Sequence, residues 1–319
     1  MRRIIHFGVL LPDYCGGPVS NSFTTPDKLR SFCKTAEKLG FTSIWHREHF
    51  TSTSATPSSY ESVATMSAVS QMVEKPRLGI ITILPLRHPV ILAKETATLD
   101  VLSNGRVSLC CAVGHREHEF EALGVNMADR GRRFVESVEI LKKLWTENNV
   151  SWEGEFHRFS NVSVDPRPVQ KPHPPLIIGS AGRSAENPQR FEKLLRRAAE
   201  LGDGWYAAIT MAPESVKKAV DILKTLVKRD VEKFSFMAHK YVHITDGDAE
   251  DARRTVSAVL NMSLEDARRQ QLVGGKEEII KKLEAFTNTG ITHFNIAPLT
   301  FDHKVLEFFA EEVIPRYSP

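Results

Sequence analysis

The tetrapeptide His-Arg-Glu-His occurs twice in this chain, at His46–His49 before Phe50 and at His115–His118 before Glu119 and Phe120. Each copy sets two imidazoles beside a carboxylate. Groups of these types can pass protons, ligate a metal, or stand as solvated charges at the start of a helix. A catalytic zinc site usually takes three protein ligands, often from a His-Glu-x-x-His spacing, and that spacing is absent. On a helix His115 and His118 would share a face, but two ligands do not make such a site. No metal site is therefore expected, and a metal-dependent hydrolase is the least supported reading. Arg47, Arg116, Glu117 and His118 read most simply as solvated residues, and Glu117 and Glu119 suit the positive end of a helix dipole. His49 is the candidate acid or base, since a histidine titrating near neutrality suits proton transfer. His115 is a second candidate.

Two glycine-bearing turns add a different chemistry. Gly114 ends an apolar run just before a helical segment. Gly179, Ser180 and Gly182 do the same further on, with Arg183 and Ser184 following. Backbone N–H groups at such turns can hold an anion, with glycine allowing close approach, although glycines are common at turns in any case.

The elements that must position these residues alternate along the chain. Short apolar runs read as buried strands: Ile4–Pro12, Phe41–His46, Arg77–Pro85, Arg106–Gly114, Pro175–Gly182, Gly204–Ile209, Phe234–Thr245 and Thr292–Pro298. Helical segments separate them. Thr25-Pro26-Asp27 opens one, with Thr25 as cap and Gly40 as the stop. Others are expected near Tyr60–Val73, His88–Ser103, Asp129–Trp145, Pro188–Leu201, Pro213–Lys228, Asp248–Glu284 (broken near Gly274-Gly275) and His303–Val313. Val150–Phe159 alternates around Gly154 and reads as a hairpin inside an insertion spanning about 148–175. Strands alternating with helices in this number imply a (β/α)8 TIM barrel carrying insertions, a single domain over residues 1–319. Both His-Arg-Glu-His stretches would then begin at carboxyl ends of strands and line one mouth. Their flanks share nothing, which argues against duplication.

Composition narrows the setting. The chain has 319 residues, 41% hydrophobic and 25% charged, with a net charge of +3 from 42 basic and 39 acidic residues. The charges are interspersed, so no nucleic-acid partner or polybasic membrane patch is expected. Cys15, Cys33, Cys110 and Cys111 form no disulfide framework, and a cytoplasmic location fits. No apolar run is long enough for a membrane span, and no signal peptide is expected.

The chain resembles the bacterial-luciferase-like family of flavin- and deazaflavin-dependent oxidoreductases. The likeness runs continuously from Phe7 to about Trp205 and is more diffuse beyond. It is carried by "AEKLGFTSIWHREHF", "LPLRHPVILAKETATLDVLSNGR", "AVGHREHEFEALGV", "RGRRFVESVEILKKLW", "DPRPVQKPHPPLIIGS" and "AAELGDGW", in that order. The resemblance implies a barrel, usually a homodimer, that binds reduced FMN or the deazaflavin coenzyme F420 at the carboxyl ends of its strands. It implies oxidoreductase chemistry, hydride transfer or oxygen insertion, on a small organic substrate, with a separate flavin reductase as a conceivable electron source. A non-catalytic flavin-binding protein of the same fold is the alternative.

Several residue roles follow from the resemblance alone. In relatives the residue before Phe at the strand-two exit faces the redox ring, which here is His49. The catalytic histidine of luciferases lies one position earlier, which makes Glu48 a further candidate catalytic residue here, and the glutamate departs from the luciferase pattern. Gly114 and His115 match the phosphate side of the cofactor, though some deazaflavin users carry glutamate where His115 stands. Gly179 and Ser180 resemble the family's phosphate-binding turn. Trp205, ending Asp-Gly-Trp, either packs under the site or belongs to the core. Many members kink strand three with a non-proline cis peptide, which falls here at Ile80–Ile81. The Arg-x-His pair of sulfonate monooxygenases is replaced by Lys240 and Val242, so no alkanesulfonate is expected. His239 and His243 fall on one strand face, left unassigned by alternation.

Overall fold

A computed structural model describes residues 4–12, 24–53, 57–179 and 187–318. In chain order the strands are β1 (His6–Leu10), β2 (Ser43–Arg47), β3 (Arg77–Ile83), β4 (Val107–Ala112), β5 (Val150–Glu153), β6 (Arg158–Val162), β7 (Leu176–Gly179), β8 (Gly204–Tyr206), β9 (Ser235–Ile244), β10 (Leu272–Gly274) and β11 (His293–Pro298). The helices are α1 (Pro26–Lys38), α2 (Ser62–Ser70), α3 (Pro89–Leu102), α4 (Glu117–Ala122), α5 (Arg130–Thr146), α6 (Pro188–Leu201), α7 (Pro213–Leu226), α8 (Glu250–Leu260), α9 (Leu264–Gln270), α10 (Lys276–Thr287) and α11 (His303–Phe308).

Eight parallel strands close into a barrel in the order β1-β2-β3-β4-β7-β8-β9-β11, with β11 pairing back onto β1. The expected strands and most helices stand where the apolar runs placed them. Thr25 caps α1 through Oγ1, which accepts from Lys28 N at 3.3 Å. Asn104 and Gly105 both take positive φ and turn the chain into β4. The segment after β9 differs from the expected broken helix. It contains α8, α9 and then β10, a short strand that pairs with the far end of β9. Leu-Val-Gly is too short a run to signal a strand against its helical flanks. No helix among the described residues is long and apolar enough to cross a membrane.

The expected hairpin is present as antiparallel β5 and β6. One buried carboxylate fastens it to α5. Glu136 accepts hydrogen bonds from Trp152 Nε1 at 3.1 Å, Phe156 N at 3.1 Å and His157 N at 2.9 Å. Further along the insertion, buried Asp100 on α3 accepts from Gln170 N at 3.0 Å and Nε2 at 2.7 Å. The insertion is thus tied to the barrel at two points by side chains that would be costly to leave unpaired.

Alternation along each strand sorts side chains into two layers. Val9, Ile44, Leu78, Ile80, Leu109, Ile178, Trp205 and Phe294 belong to a core shared with the surrounding helices. Leu10, Trp45, Cys110, Ile177, Tyr206, Met237, Tyr241 and Ala297 form a second cluster that fills the lumen. The lumen packs tightly around Trp45. Its ring lies on Gly79, where a Cβ would fall 2.0 Å from Trp45 Cδ2, and its Nε1 donates to Ser43 Oγ at 2.9 Å. Gly79→Ala should therefore displace the indole and lower stability by about 1–3 kcal/mol. Urea denaturation checks this: the midpoint drops with an unchanged slope, and an unchanged midpoint would show that the lumen has slack.

Candidate active site

β2 and β4 deliver the two histidine-rich stretches to the same mouth. The rings of His49 and His115 meet edge to face, with centroids 6.2 Å apart. His49 is the better defined of the two. Its Nδ1 lies 3.3 Å from Glu119 Oε1, and the same oxygen accepts the backbone N–H of Phe50 at 2.8 Å. Its own N–H donates to Ser59 Oγ at 3.0 Å, and that hydroxyl donates to Arg47 O at 2.8 Å. The exit of β2 is thus held by α4 on one side and by the loop before α2 on the other.

The electrostatics of this pair assign its protons. Burial pushes His49 down to about 4, against the opposing pull of Glu119. Burial alone would raise the Glu119 carboxyl, but its bonds to His49 and Phe50 and the nearby Arg116 charge hold it below the ordinary value. At neutral pH Glu119 is an ionised acceptor and His49 a neutral imidazole, so Nδ1 must carry the hydrogen it donates. Nε2, across the ring, keeps its lone pair. This corrects the expectation of a histidine titrating near neutrality: desolvation moves it well below that range.

Glu119 also corrects the reading of it as a helix-start charge. It is fully buried, whereas Glu117, two residues earlier in α4, is exposed. No spacing signal distinguishes the two, because α4 is a single short turn and the distinction arises from what packs against it. Arg47, expected to be solvated, is buried in the lumen with its guanidinium over the Tyr241 ring, 5.4 Å from the centroid.

Glu48 points the other way. It is buried in the helix-facing layer, accepting from Thr82 Oγ1 at 3.1 Å and from Arg87 Nε at 2.8 Å. Arg87 also pairs with Glu61 and Glu95 and lies over Phe50. Glu48 is therefore a brace behind the β2 exit, not a group facing the mouth. His46, on the same side, bonds Ser62 Oγ at 2.9 Å.

The expected cofactor residues divide by the same alternation. Ile81 joins the lumen cluster, whereas Ile80 faces the helices. The cis peptide expected at Ile80–Ile81 is absent: among the described residues the cis bonds are Asp165–Pro166 and Lys171–Pro172. Trp205 also faces the helices, buried, with Nε1 lacking a partner among the described residues, and Tyr206 is its lumen-facing neighbour. Gly114 has φ +77 and no room for a side chain, since a Cβ would sit 2.6 Å from Ile83 Cγ2. Gly179 is roomier, its nearest contact being Ala112 at 3.4 Å. Ala112, Gly114 and Gly179 give the rim between β4 and β7 a wall of small groups, which suits a flat or phosphate-bearing ligand. Ser180, Gly182, Arg183 and Ser184 lie outside the described residues.

On β9, Lys240 and Val242 belong to the outer face, and the lumen-facing residues are His239 and Tyr241. The His239 ring lies tilted against that of Tyr206, with centroids 4.6 Å apart, and the Tyr206 hydroxyl accepts from Asn295 Nδ2 at 2.7 Å. Burial, then the charges of Lys240 and Arg47, hold His239 well below the usual range. Fully buried Lys240 donates to the carbonyls of Ile209 and Met211, fixing the loop after β8. Gln271 Nε2 also donates to Ile209 O, at 3.0 Å. No group of three metal-ligating side chains stands together among the described residues.

The profile of the luciferase-like monooxygenases matches residues 5–263. An FMNH2-dependent dimethylsulfone monooxygenase of Pseudomonas putida is 28% identical, over 82% of this chain and 71% of that protein. An F420-dependent glucose-6-phosphate dehydrogenase of Amycolatopsis mediterranei is 24% identical, over 91% and 94%. The structure of an F420-dependent secondary alcohol dehydrogenase, holding an F420–acetone adduct, superposes with a TM-score of 0.82 at 21% identity, covering 99% of this chain and all of that one.

The buried histidines give a prediction of their own. His49, His157 and His293 are each held down to about 4, first of all by burial. Their unfolded value is about 6.5. Between these values the unfolded chain binds protons that the folded chain does not, so stability is lost as pH falls through that window. Thermal unfolding should show a midpoint that falls from about pH 6.5 towards 4, with a shallower fall in His49→Gln. A midpoint independent of pH over that window would contradict the burial of these rings as neutral groups.

Proposed function

This chain belongs to the luciferase-like monooxygenase family, and on that premise we propose that it is an oxidoreductase acting on a small organic substrate with reduced FMN or coenzyme F420, using His49 to handle the proton. The observation that carries the proposal is the His49–Glu119 pair at the carboxyl end of the barrel. A carboxylate that accepts Nδ1–H fixes the imidazole's tautomer and rotation and leaves Nε2 as a base directed away from it. A non-catalytic flavin-binding protein would have no need of such a pair.

The bound ring would supply the hydride or, in the flavin case, the reaction with oxygen. This chain's residues bind and orient it. Ile81 presents an apolar side chain from the lumen wall. Gly114 and His115 at the β4 exit and Gly179 with Ser180 at the β7 exit would take the polar tail. His49 removes a proton from the substrate or returns one through Nε2, and Glu119 stabilises the imidazolium formed in between. The loop pinned by Lys240 and the segment after β9 keep water from the reacting groups. In the same reading the chain is one domain and assembles as a homodimer. The outer face of α3, where Ile91 and Leu102 are 57% and 58% exposed, is an apolar surface for that contact. A separate reductase would supply electrons if the cofactor is FMN.

The test begins with binding of reduced FMN and, separately, reduced F420, followed by fluorescence. One of the two should bind, and binding of neither would overturn the proposal. With a turned-over substrate, for which dimethylsulfone and small secondary alcohols are natural first trials, His49→Ala should lower kcat/KM by roughly 10²–10⁴. Cofactor binding should survive the substitution. Because His49 is already neutral, it should contribute no limb to the pH profile between about pH 6 and 8. Turnover unaffected by His49→Ala would remove the assigned role.

A further inference from the structure

Polar side chains from four strands meet at one level of the lumen. Ser43, Gly8, Asn295 and His239 stand in register across β2, β1, β11 and β9, and Tyr206 reaches in from β8. Inside a packed lumen each hydrogen and each acceptor of such groups needs a partner.

The donors run in one direction. Trp45 Nε1 donates to Ser43 Oγ at 2.9 Å, which leaves the serine its own hydrogen. Asn295 Oδ1 has no partner among the described residues. It stands beside that hydroxyl, since a Cβ on Gly8 would fall 2.2 Å from each of the two oxygens. The other end of the same amide, Nδ2, donates to Tyr206 Oη at 2.7 Å. Two atoms are then left over. The Tyr206 hydroxyl still carries its own hydrogen. His239 Nδ1 is enclosed and without a partner among the described residues. The second nitrogen of that ring donates to the Ala207 carbonyl, so in a neutral imidazole Nδ1 is a bare acceptor.

The Tyr206 and His239 rings have centroids 4.6 Å apart, and no direct bond joins the hydroxyl to Nδ1. Ser43, Tyr206 and Asn295 are buried, but His239 stays partly exposed, so solvent reaches its edge. An unspent donor beside an unspent acceptor is what one water molecule joins. Charge decides against an ion. Lys240 and Arg47 both press positive charge on His239, which opposes a cation. An anion would meet a lone pair at Nδ1 in place of a hydrogen.

We infer that one water molecule, bound between Tyr206 Oη and His239 Nδ1, closes a one-way hydrogen-bond chain from Trp45 to Ala207. The chain ties β2, β11, β8 and β9 together and fixes His239 with its hydrogen on Nε2. Ala207 opens the loop whose Ile209 and Met211 carbonyls Lys240 holds. The water is thus part of that loop's anchorage, and the inference does not rest on the redox reading.

X-ray and neutron diffraction from crystals of the full chain, without added ligand and exchanged into heavy water, test it. A water should lie about 2.6–3.2 Å from both Tyr206 Oη and His239 Nδ1. It should accept deuterium from the tyrosine and donate to the imidazole. Crystals soaked in rubidium or bromide should show no anomalous signal there, and Tyr206→Phe should remove the water. Nitrogen-15 NMR of histidine-labelled protein near pH 7, assigned with His239→Gln, gives a check that needs no variant at Tyr206. It should place the His239 hydrogen on Nε2, with Nδ1 hydrogen-bonded. A direct Tyr206–His239 bond, an ion at the site, or an empty site would each overturn the inference. So would a His239 hydrogen on Nδ1, or an Asn295 amide turned over so that its oxygen takes the Tyr206 hydrogen.

Discussion

A single buried carboxylate organises the mouth of this barrel. Glu119 has two oxygens and no exposed surface, and it spends them on two consecutive residues of the β2 exit, His49 through its ring and Phe50 through its backbone. A buried, ionised carboxylate persists only where hydrogen bonds replace its lost hydration. The bond that keeps Glu119 folded in is therefore the bond that orients His49. Behind the strand exit the same logic is repeated with opposite sign, where Arg87 gathers Glu48, Glu61 and Glu95 and lies over Phe50. Residues 48–50 are held from both sides, which is what a proton-transferring group needs to meet a substrate at fixed geometry.

The barrel supplies the frame for this arrangement through strand alternation. Every other residue of a strand faces the lumen, so a one-residue offset separates a group at the site from a brace behind it. Glu48 and His49 illustrate this at β2, Ile80 and Ile81 at β3, Trp205 and Tyr206 at β8, Lys240 and Tyr241 at β9. The outer members are not idle. Glu48 anchors the strand exit, and Lys240 holds the loop that carries Ile209.

These pairs also mark how far the sequence could be read. The barrel was legible because apolar runs, caps and turn residues repeat with a period that only alternating strands and helices satisfy. Thr25, Asn104-Gly105 and the hairpin around Gly154 all signalled through local backbone chemistry. Which neighbour faces inward was not legible for strands buried on both sides, since Ile80 and Ile81 are the same residue type. The role of Glu119 was hidden for another reason. Its partner lies 70 positions away, and at the start of a short helix a glutamate looks the same whether it meets water or an imidazole. His49 was singled out through likeness to a family, but its protonation state depends on desolvation, which only the packed structure shows.

Proton handling at this mouth turns on the tautomer of one ring. Nitrogen-15 NMR of histidine-labelled protein at about pH 7, with His49→Gln to assign the signals, reads it directly. The prediction is a neutral His49 with hydrogen on Nδ1 and a bare Nε2, and a loss of that preference in Glu119→Ala. A His49 that is doubly protonated at this pH, or that carries its hydrogen on Nε2 whether or not Glu119 is present, would contradict it.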